Sequence, residues 1–90
     1  MTMEKEWKLY ILECKDGTLY TGVTDDLSRR LAAHRAGKGA KYTRGRGPLI
    51  LRYTECCEDR SVALRREIQI KRLTRAEKLL LCRTWKETEV

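Results

Sequence analysis

The sequence has 90 residues, a formal net charge of +7 at neutral pH and 41% hydrophobic residues. This length predicts one domain with a modest core, and the apolar runs are too short to cross a membrane. The first six residues lack the apolar stretch of a signal peptide, so we expect a cytoplasmic protein that does not bind membranes.

The segment from residue 7 to residue 23 is predicted to form a β-hairpin, because apolar residues alternate with other residues on both sides of an Asp-Gly pair. Two turns are compatible with this pattern. A three-residue loop over residues 15–17 would pair Cys14 with Thr18, whereas a two-residue Asp-Gly turn would shift the pairing by one residue. The apolar pattern favours the three-residue loop.

The three-residue loop would place Tyr10, Tyr20 and Gly22 together on one face of the hairpin. Because Gly22 has no side chain, this face would leave room for a ligand beside the two phenols. The alternative is that both tyrosines simply fill a sheet, where aromatic residues are common. The opposite face would supply core residues, namely Trp7, Leu9, Ile11, Leu19 and Val23.

A first helix is predicted from Asp25 or Asp26, either of which can cap it, to about Ala36, with Gly37 as its stop. One face of this helix carries Leu27, Arg30, Leu31 and His34. Residues 37–48 contain four glycines and a proline, so they are predicted to form an exposed basic loop without regular structure.

A third strand is predicted over residues 49–56, because this segment is rich in apolar and aromatic residues. A second helix starts at Asp59 or Ser61 and continues to about Leu73. Thr74 then begins a capping box, which opens a third helix.

These elements follow the order ββαβαα, which predicts a single α+β domain over residues 1–90 with a small, three-stranded, mostly antiparallel sheet flanked by helices. Its core should span about residues 7–81. The third helix is expected to carry Trp85, and residues 86–90 are expected to be frayed. The four cysteines lack the paired spacing of a zinc site, so they are expected to be reduced thiols.

Positive charge is concentrated in residues 27–54, which contain eight Lys and Arg residues and no Asp or Glu. The rest of the chain has twelve basic and thirteen acidic residues and is close to neutral. Such a block attracts phosphate, although a basic surface can also be merely solvated. Because glycines and Tyr42 interrupt the block, we favour nucleic acid, contacted by Arg29, Arg35, Lys38, Lys41, Arg44 and Arg46.

Five segments, in this order and spacing, resemble the GIY-YIG nuclease family and above all its small stand-alone bacterial members. They are Lys8-Leu9-Tyr10, Tyr20-Thr21-Gly22, and residues 27–34, 39–44 and 63–67. The resemblance spans about residues 7–81. It implies hydrolysis of phosphodiester bonds with one divalent ion, Mg²⁺ or Mn²⁺, and without a small-molecule cofactor. The implied substrate is DNA, cut with structure-guided or weak specificity in repair, recombination or processing.

Roles follow from the resemblance, position by position. Tyr10 and Tyr20 would flank the scissile phosphate, and one of them, or a water that it orients, would act as general base. Arg30 would bind the phosphate and stabilise the charge of the transition state. Glu67 would be the sole protein ligand to the metal ion. Supporting roles would fall to Gly22, which would allow a close approach of the backbone, and to His34 and Tyr42.

Each polar residue also has a purely structural alternative. Arg30 could pair with Asp26 one turn earlier, and Glu67 could pair with Lys71, each contact contributing about 0.3–0.5 kcal/mol at a surface. His34 could be a packed or solvated imidazole.

Two other functions are compatible with the sequence. The chain contains no asparagine, and the resemblance implies that larger family members carry one near the end of the domain. The first alternative is therefore a catalytically weak or inactive nucleic-acid-binding module. The second is a protein-interaction domain. Only the apolar residues 79–81 in the C-terminal helix support this alternative. We expect a monomer.

Overall fold

A computed structural model of the chain describes residues 6–83 and 88–89. In chain order the elements are β1 (Trp7–Glu13), β2 (Leu19–Thr24), α1 (Leu27–Arg35), β3 (Ile50–Cys57), α2 (Arg60–Lys71), α3 (Arg75–Cys82) and β4 (Thr88–Glu89). The strands are antiparallel and lie in the order β2-β1-β3-β4. The predicted α+β domain with a three-stranded sheet and three helices is confirmed, and β4 adds a two-residue strand.

The C-terminal end differs from our expectation of a frayed segment over residues 86–90. Thr88 and Glu89 pair with the start of β3 as a short edge strand. The other residues of that segment, and Trp85, lie outside the described residues. The helices of the described chain are too short and too polar to cross a membrane.

The hairpin adopts the three-residue loop. The Cys14 N–H donates to the Thr18 carbonyl at 2.9 Å, and the Gly17 N–H donates to the Cys14 carbonyl at 2.9 Å. Gly17 has a φ of 83°, a left-handed conformation that glycine adopts without strain. The resulting register places Tyr10 opposite Gly22, as the three-residue loop predicts.

Both faces of the sheet are covered by apolar residues. The face that packs against α2 and α3 is built on Leu9, Ile11, Ile70 and Cys82. The face that packs against α1 is built on Tyr10, Leu12, Cys14, Leu49 and Leu51, with Leu27 and Leu31 from the helix. The predicted core face is therefore correct. The face that carries Tyr10, however, is a second core rather than an open surface.

Side-chain caps define where the helices begin. Asp26 Oδ1 accepts a hydrogen bond from the Arg29 N–H at 3.1 Å, and Asp59 Oδ1 accepts one from the Val62 N–H at 2.9 Å. The predicted capping box of α3 is present over residues 74–77. The sequence left two candidate caps for each of the first two helices, and the structure selects the aspartate next to the helix in both cases.

All four cysteines are free thiols, as predicted. Cys14 and Cys82 are buried, and burial raises the pKa of the Cys82 thiol. These two side chains therefore serve as small core residues.

Candidate active site

Helix α1 brings two polar side chains against Tyr10 on the central strand. Arg30 and His34 are four residues apart and lie on the same side of α1. The Arg30 Nε–H donates to the Tyr10 hydroxyl at 3.4 Å, and His34 Nε2 is 2.8 Å from the same oxygen. The Tyr20 ring lies 6.2 Å from the Tyr10 ring and 5.4 Å from the His34 ring, centre to centre. We call these four residues the Tyr10 cluster.

A chain of hydrogen bonds determines which nitrogen of His34 carries the proton. The Thr43 hydroxyl donates to the Ala40 carbonyl at 3.0 Å, so its oxygen accepts from His34 Nδ1, 2.8 Å away. His34 Nε2 is then unprotonated and accepts a hydrogen bond from the Tyr10 hydroxyl. Burial, together with the Arg30 charge, lowers the pKa of His34 to about 4. The ring is therefore neutral at physiological pH.

Tyr10 is buried, and its hydroxyl bonds His34 and Arg30. Its exposed fraction is 0%. Burial raises the pKa of Tyr10 to about 12, although the hydrogen bond from Arg30 acts in the opposite direction. We expected both tyrosines to flank the substrate phosphate, but α1 covers Tyr10. Only Tyr20, which is half-buried, reaches the surface.

The contact with Tyr10 is sufficient to require a glycine at position 22. A Cβ atom at Gly22 would lie 2.6 Å from both Cζ and the hydroxyl oxygen of Tyr10, and 3.0 Å from Cε2 of Tyr20. The space that we expected to hold a ligand is therefore filled by the ring opposite Gly22. The same kind of approach occurs at Gly39, where a Cβ atom would lie 2.4 Å from His34 Nδ1.

Arg30 connects the buried cluster to an open pocket. The pocket has a volume of about 360 Å³ and is lined by Thr24, Asp25, Asp26, Arg29, Arg30 and Ala33. The hydrogen bond with Tyr10 raises the pKa of Arg30 further, so its charge is permanent. Asp26, the alternative partner of Arg30, caps the helix through the Arg29 N–H. A phosphate in this pocket would lie beside Arg29 and Arg30, which attract it, and beside Asp25 and Asp26, which repel it.

Glu67 lies on α2, the helix that packs against the other face of the sheet. Its Oε2 is 3.4 Å from Lys71 Nζ, and its side chain is 18% exposed. This is the ion pair that the sequence offered as the structural alternative. Lys71 in turn lines a shallow pocket with Tyr20. Lys71 therefore contacts Glu67 and also lines the same pocket as Tyr20.

The carboxylates limit how a divalent ion could be held. Across residues 6–83, no three His, Cys, Asp or Glu side chains come together as a metal-binding group. Mg²⁺ keeps most of its waters and is often bound through one or two carboxylates and substrate phosphates. Glu67 fits such an ion as a single protein ligand, provided that Lys71 releases its carboxylate.

The loop over residues 37–48 lies against the Tyr10 cluster and is more ordered than we expected. It contains a 3₁₀ turn, Lys41–Thr43. Thr43 is 3% exposed, and its hydroxyl bonds His34. At the start of the loop, the Lys38 N–H donates to the Ala33 carbonyl at 2.8 Å. The prediction of a loop exposed throughout was therefore wrong at Thr43.

Most of the residues predicted to contact nucleic acid are accessible. Five are exposed, namely Arg29, Arg35, Lys38, Lys41 and Arg44. The sixth, Arg46, is half-buried, and its Nη1 lies 2.5 Å from Asp16 Oδ2, which ties the loop to the hairpin. Arg52, also in the basic block, pairs with Glu13 at 2.6 Å. The side chain of Tyr42, predicted to support the site, lies outside the described part of the chain.

Thr43 and Gly39 belong to the surroundings of the site but were not anticipated. Both residues contact the His34 ring. These contacts depend on the position of the loop relative to α1, which the sequence does not give. Both residues lie in the 39–44 segment of the resemblance, but a glycine and a threonine shortly after a helical histidine are too common a combination to identify a contact.

Comparisons with known proteins identify the family. Residues 6–79 match the GIY-YIG catalytic domain. A UPF0213 protein of Halobacterium salinarum is 59% identical over 70 residues, which cover 78% of this chain and 91% of the relative. A UPF0213 protein of Cupriavidus pinatubonensis is 45% identical over 89 residues, which cover 99% of both chains.

Two solution NMR structures are also similar. A protein of E. faecalis has a TM-score of 0.63 and 41% identity, covering 94% of this chain and 91% of that one. A UPF0213 protein of Bacillus halodurans has a TM-score of 0.55 and 50% identity, covering 84% of this chain and 81% of that one. Since sequence and structure agree over most of both chains, this chain belongs to the GIY-YIG superfamily, within its group of small UPF0213 proteins.

Proposed function

We propose that this protein is a divalent-metal-dependent endonuclease that hydrolyses phosphodiester bonds in DNA. The observation that carries the proposal is the position of Arg30. Its guanidinium is held by the Tyr10 hydroxyl, while the same residue lines an open pocket of about 360 Å³. Membership of a family defined by a catalytic domain supports the reaction type, and the five exposed basic residues support a phosphate-rich partner.

In the proposed reaction, accessible residues contact the substrate and buried residues hold them in position. Arg30 binds two phosphate oxygens and stabilises the negative charge that builds in the transition state. Tyr20 orients or deprotonates the attacking water. Tyr10 and His34 do not touch the substrate; they hold Arg30 and Tyr20 in place. A Mg²⁺ or Mn²⁺ ion on Glu67 would polarise the phosphate and make water a better nucleophile.

The basic residues around the pocket would hold DNA by its backbone. Phosphate contacts fix position but carry no sequence information. We therefore infer weak sequence specificity, with the shape of the DNA deciding the target in repair, recombination or processing.

The test is cleavage of single-stranded, duplex and branched DNA in Mg²⁺, in Mn²⁺ and in a chelator. Cleavage should require the ion and should fall by about 100-fold or more in Arg30→Ala. Glu67→Gln should lose most of the metal-dependent rate. Arg65→Ala, which removes an exposed positive charge from α2, is the matched control and should keep the wild-type rate. Equal rates in Arg30→Ala and Arg65→Ala would refute the role of Arg30.

A nucleic-acid-binding module without turnover is the second candidate. The burial of Tyr10 and the Glu67–Lys71 ion pair favour it. This candidate predicts salt-dependent binding that weakens when Lys41 and Arg44 are neutralised, with no product from any of the three DNA forms. Metal-dependent product that disappears in an Arg30 variant would exclude it.

A further inference from the structure

Two adjoining pockets open along the free side of β2, an edge strand of the described sheet. The first has a volume of about 230 Å³ and is lined by Leu19, Tyr20, Thr21, Lys71 and Lys78. The second has a volume of about 210 Å³ and is lined by Thr18, Leu19, Arg75 and Lys78. Because the pockets share Leu19 and Lys78, we treat them as one groove and call it the β2-edge groove.

The β2-edge groove is positively charged. Lys71, Lys78 and Arg75 line it, and none of its lining residues is acidic. Lys71 contacts Glu67 at 3.4 Å, but its side chain is 54% exposed. Ion pairs of this kind are weak, so Lys71 can turn to another anion. Within residues 6–83, Lys78 has no carboxylate partner.

Thr21 provides an independent indication of a ligand. Its residue is 3% exposed, and its hydroxyl oxygen is buried without a hydrogen-bond partner among the described residues. Buried hydroxyl groups are nearly always hydrogen-bonded. Because Thr21 lines the groove, a molecule bound there could supply the missing partner. Along β2, backbone groups point alternately towards β1 and away from it. Because Cys14 pairs with Thr18, the N–H groups of Leu19 and Thr21 point away from β1.

We propose that the β2-edge groove binds a backbone phosphate of the nucleic-acid strand whose scissile phosphate lies at Arg30 and Tyr20. Two ammonium groups, one hydroxyl and the edge N–H groups match the several acceptor oxygens of a phosphate. Tyr20 belongs to both sites, since its ring lies 5.4 Å from the His34 ring and the residue also lines the groove. A strand lying along β2 therefore reaches both. The inference that the ligand is nucleic acid rests on the proposed function. The inference that the groove binds a phosphate group rests on the groove alone.

The first test uses inorganic phosphate and is independent of nuclease activity. Titration of ¹⁵N-labelled protein should shift the amide signals of Leu19, Tyr20 and Thr21 in a saturable way. The double variant Lys71→Gln with Lys78→Gln keeps the aliphatic stems but loses both charges, and it should abolish these shifts. Signals that do not respond in the wild type, or that respond equally in the double variant, overturn the proposal.

The second test measures binding to single-stranded DNA in a chelator at several salt concentrations. In the Lys71→Gln, Lys78→Gln variant, the slope of log Kd against log salt should fall by about 0.7, the value for one phosphate contact on a single strand. The affinity should fall by about tenfold. Arg60→Gln with Arg65→Gln removes two exposed charges from α2 and should keep the wild-type slope. Thr21→Val should weaken binding without changing the slope, because the hydroxyl is uncharged.

The two proposals can fail separately. If the wild type cleaves DNA but both double variants share the wild-type slope, the groove does not hold a phosphate and the nuclease proposal stands. If phosphate shifts the three amides through Lys71 and Lys78 but DNA is not cleaved, the groove is an anion site and the nuclease proposal is wrong.

Discussion

The Tyr10 hydroxyl lies 2.8 Å from His34 Nε2 and joins the centre of the sheet to α1. The opposite nitrogen of the same ring bonds the Thr43 hydroxyl at 2.8 Å. One chain of hydrogen bonds therefore runs from Arg30 through Tyr10 and His34 into the basic loop. The position of the guanidinium and the conformation of the loop consequently depend on the same two buried rings.

The protonation of His34 can be measured directly, because it is the one histidine of the chain. We expect the proton of the neutral ring on Nδ1, since Thr43 accepts from that nitrogen. Burial and the Arg30 charge should hold the pKa of His34 at about 4. Long-range ¹⁵N–¹H NMR spectra across a pH series measure both properties. A ring protonated on Nε2, or a pKa near the ordinary value of about 6.5, would contradict this arrangement.

Stability should decline in mild acid because of the same residue. The unfolded chain binds a proton at His34 near pH 6.5, whereas the folded chain binds it only near pH 4. Acid therefore favours unfolding, and the free energy of unfolding should fall by about 3 kcal/mol as the pH decreases across this interval. The lowered carboxyl pKa values of Glu77 and Asp16 add to this loss as the pH falls towards the ordinary values of these groups, which for Glu77 lies near the lower end of the interval.

Urea unfolding of the wild type and of His34→Gln at a series of pH values measures this loss. The glutamine variant lacks the imidazole, so its stability should fall much less than that of the wild type across the interval. Parallel declines in the two proteins would show that His34 is not the cause.

Gly22→Ala should destabilise the protein by about 1–3 kcal/mol, because overpacking a filled core forces side chains to move. The new methyl group would lie 2.6 Å from two atoms of Tyr10, which is fully buried and cannot shift freely. Gly47→Ala is the matched control, since nothing lies within 4 Å of a Cβ atom there. Urea unfolding of both variants gives the difference, and equal stabilities would mean that the Tyr10 ring does not occupy the space above Gly22.

Thr43→Val should loosen the basic loop. The substitution leaves the His34 Nδ1–H unpaired in a buried site, at a cost of about 1–3 kcal/mol. Thr43→Ser keeps the hydroxyl and should cost less. Hydrogen exchange of the loop amides, together with urea unfolding, compares the two variants. If the valine variant protects the loop as well as the serine variant does, the bond to His34 is not its anchor.

The hairpin and the helix caps could be predicted from the sequence because local residues determine them. Apolar alternation and the loop glycine fix the register that places Tyr10 opposite Gly22. Asp26 and Asp59 cap their helices through backbone groups three residues away. The sequence also offered the pairing of Glu67 with Lys71, one turn apart, which the structure contains.

The resemblance grouped Arg30 and His34 with Tyr10, but the burial of Tyr10 and its connection to the loop could not be predicted, because they depend on packing between distant segments. The sequence could not show that α1 lies over Tyr10 and buries it, nor that Thr43 would reach His34. The β2-edge groove was missed for the same reason. Lys71 and Lys78 lie on different helices, and only the packing of those helices beside β2 brings them to one pocket.

The most direct test of the proposed division between Tyr10 and Tyr20 is the single-turnover rate of metal-dependent DNA cleavage by Tyr20→Phe. Tyr20 is the phenol of the Tyr10 cluster that reaches the surface. The loss of a group that orients or deprotonates water should lower the rate by about 100-fold or more, while the folded amide spectrum stays unchanged. A Tyr20→Phe protein that cleaves DNA at the wild-type rate would contradict the account.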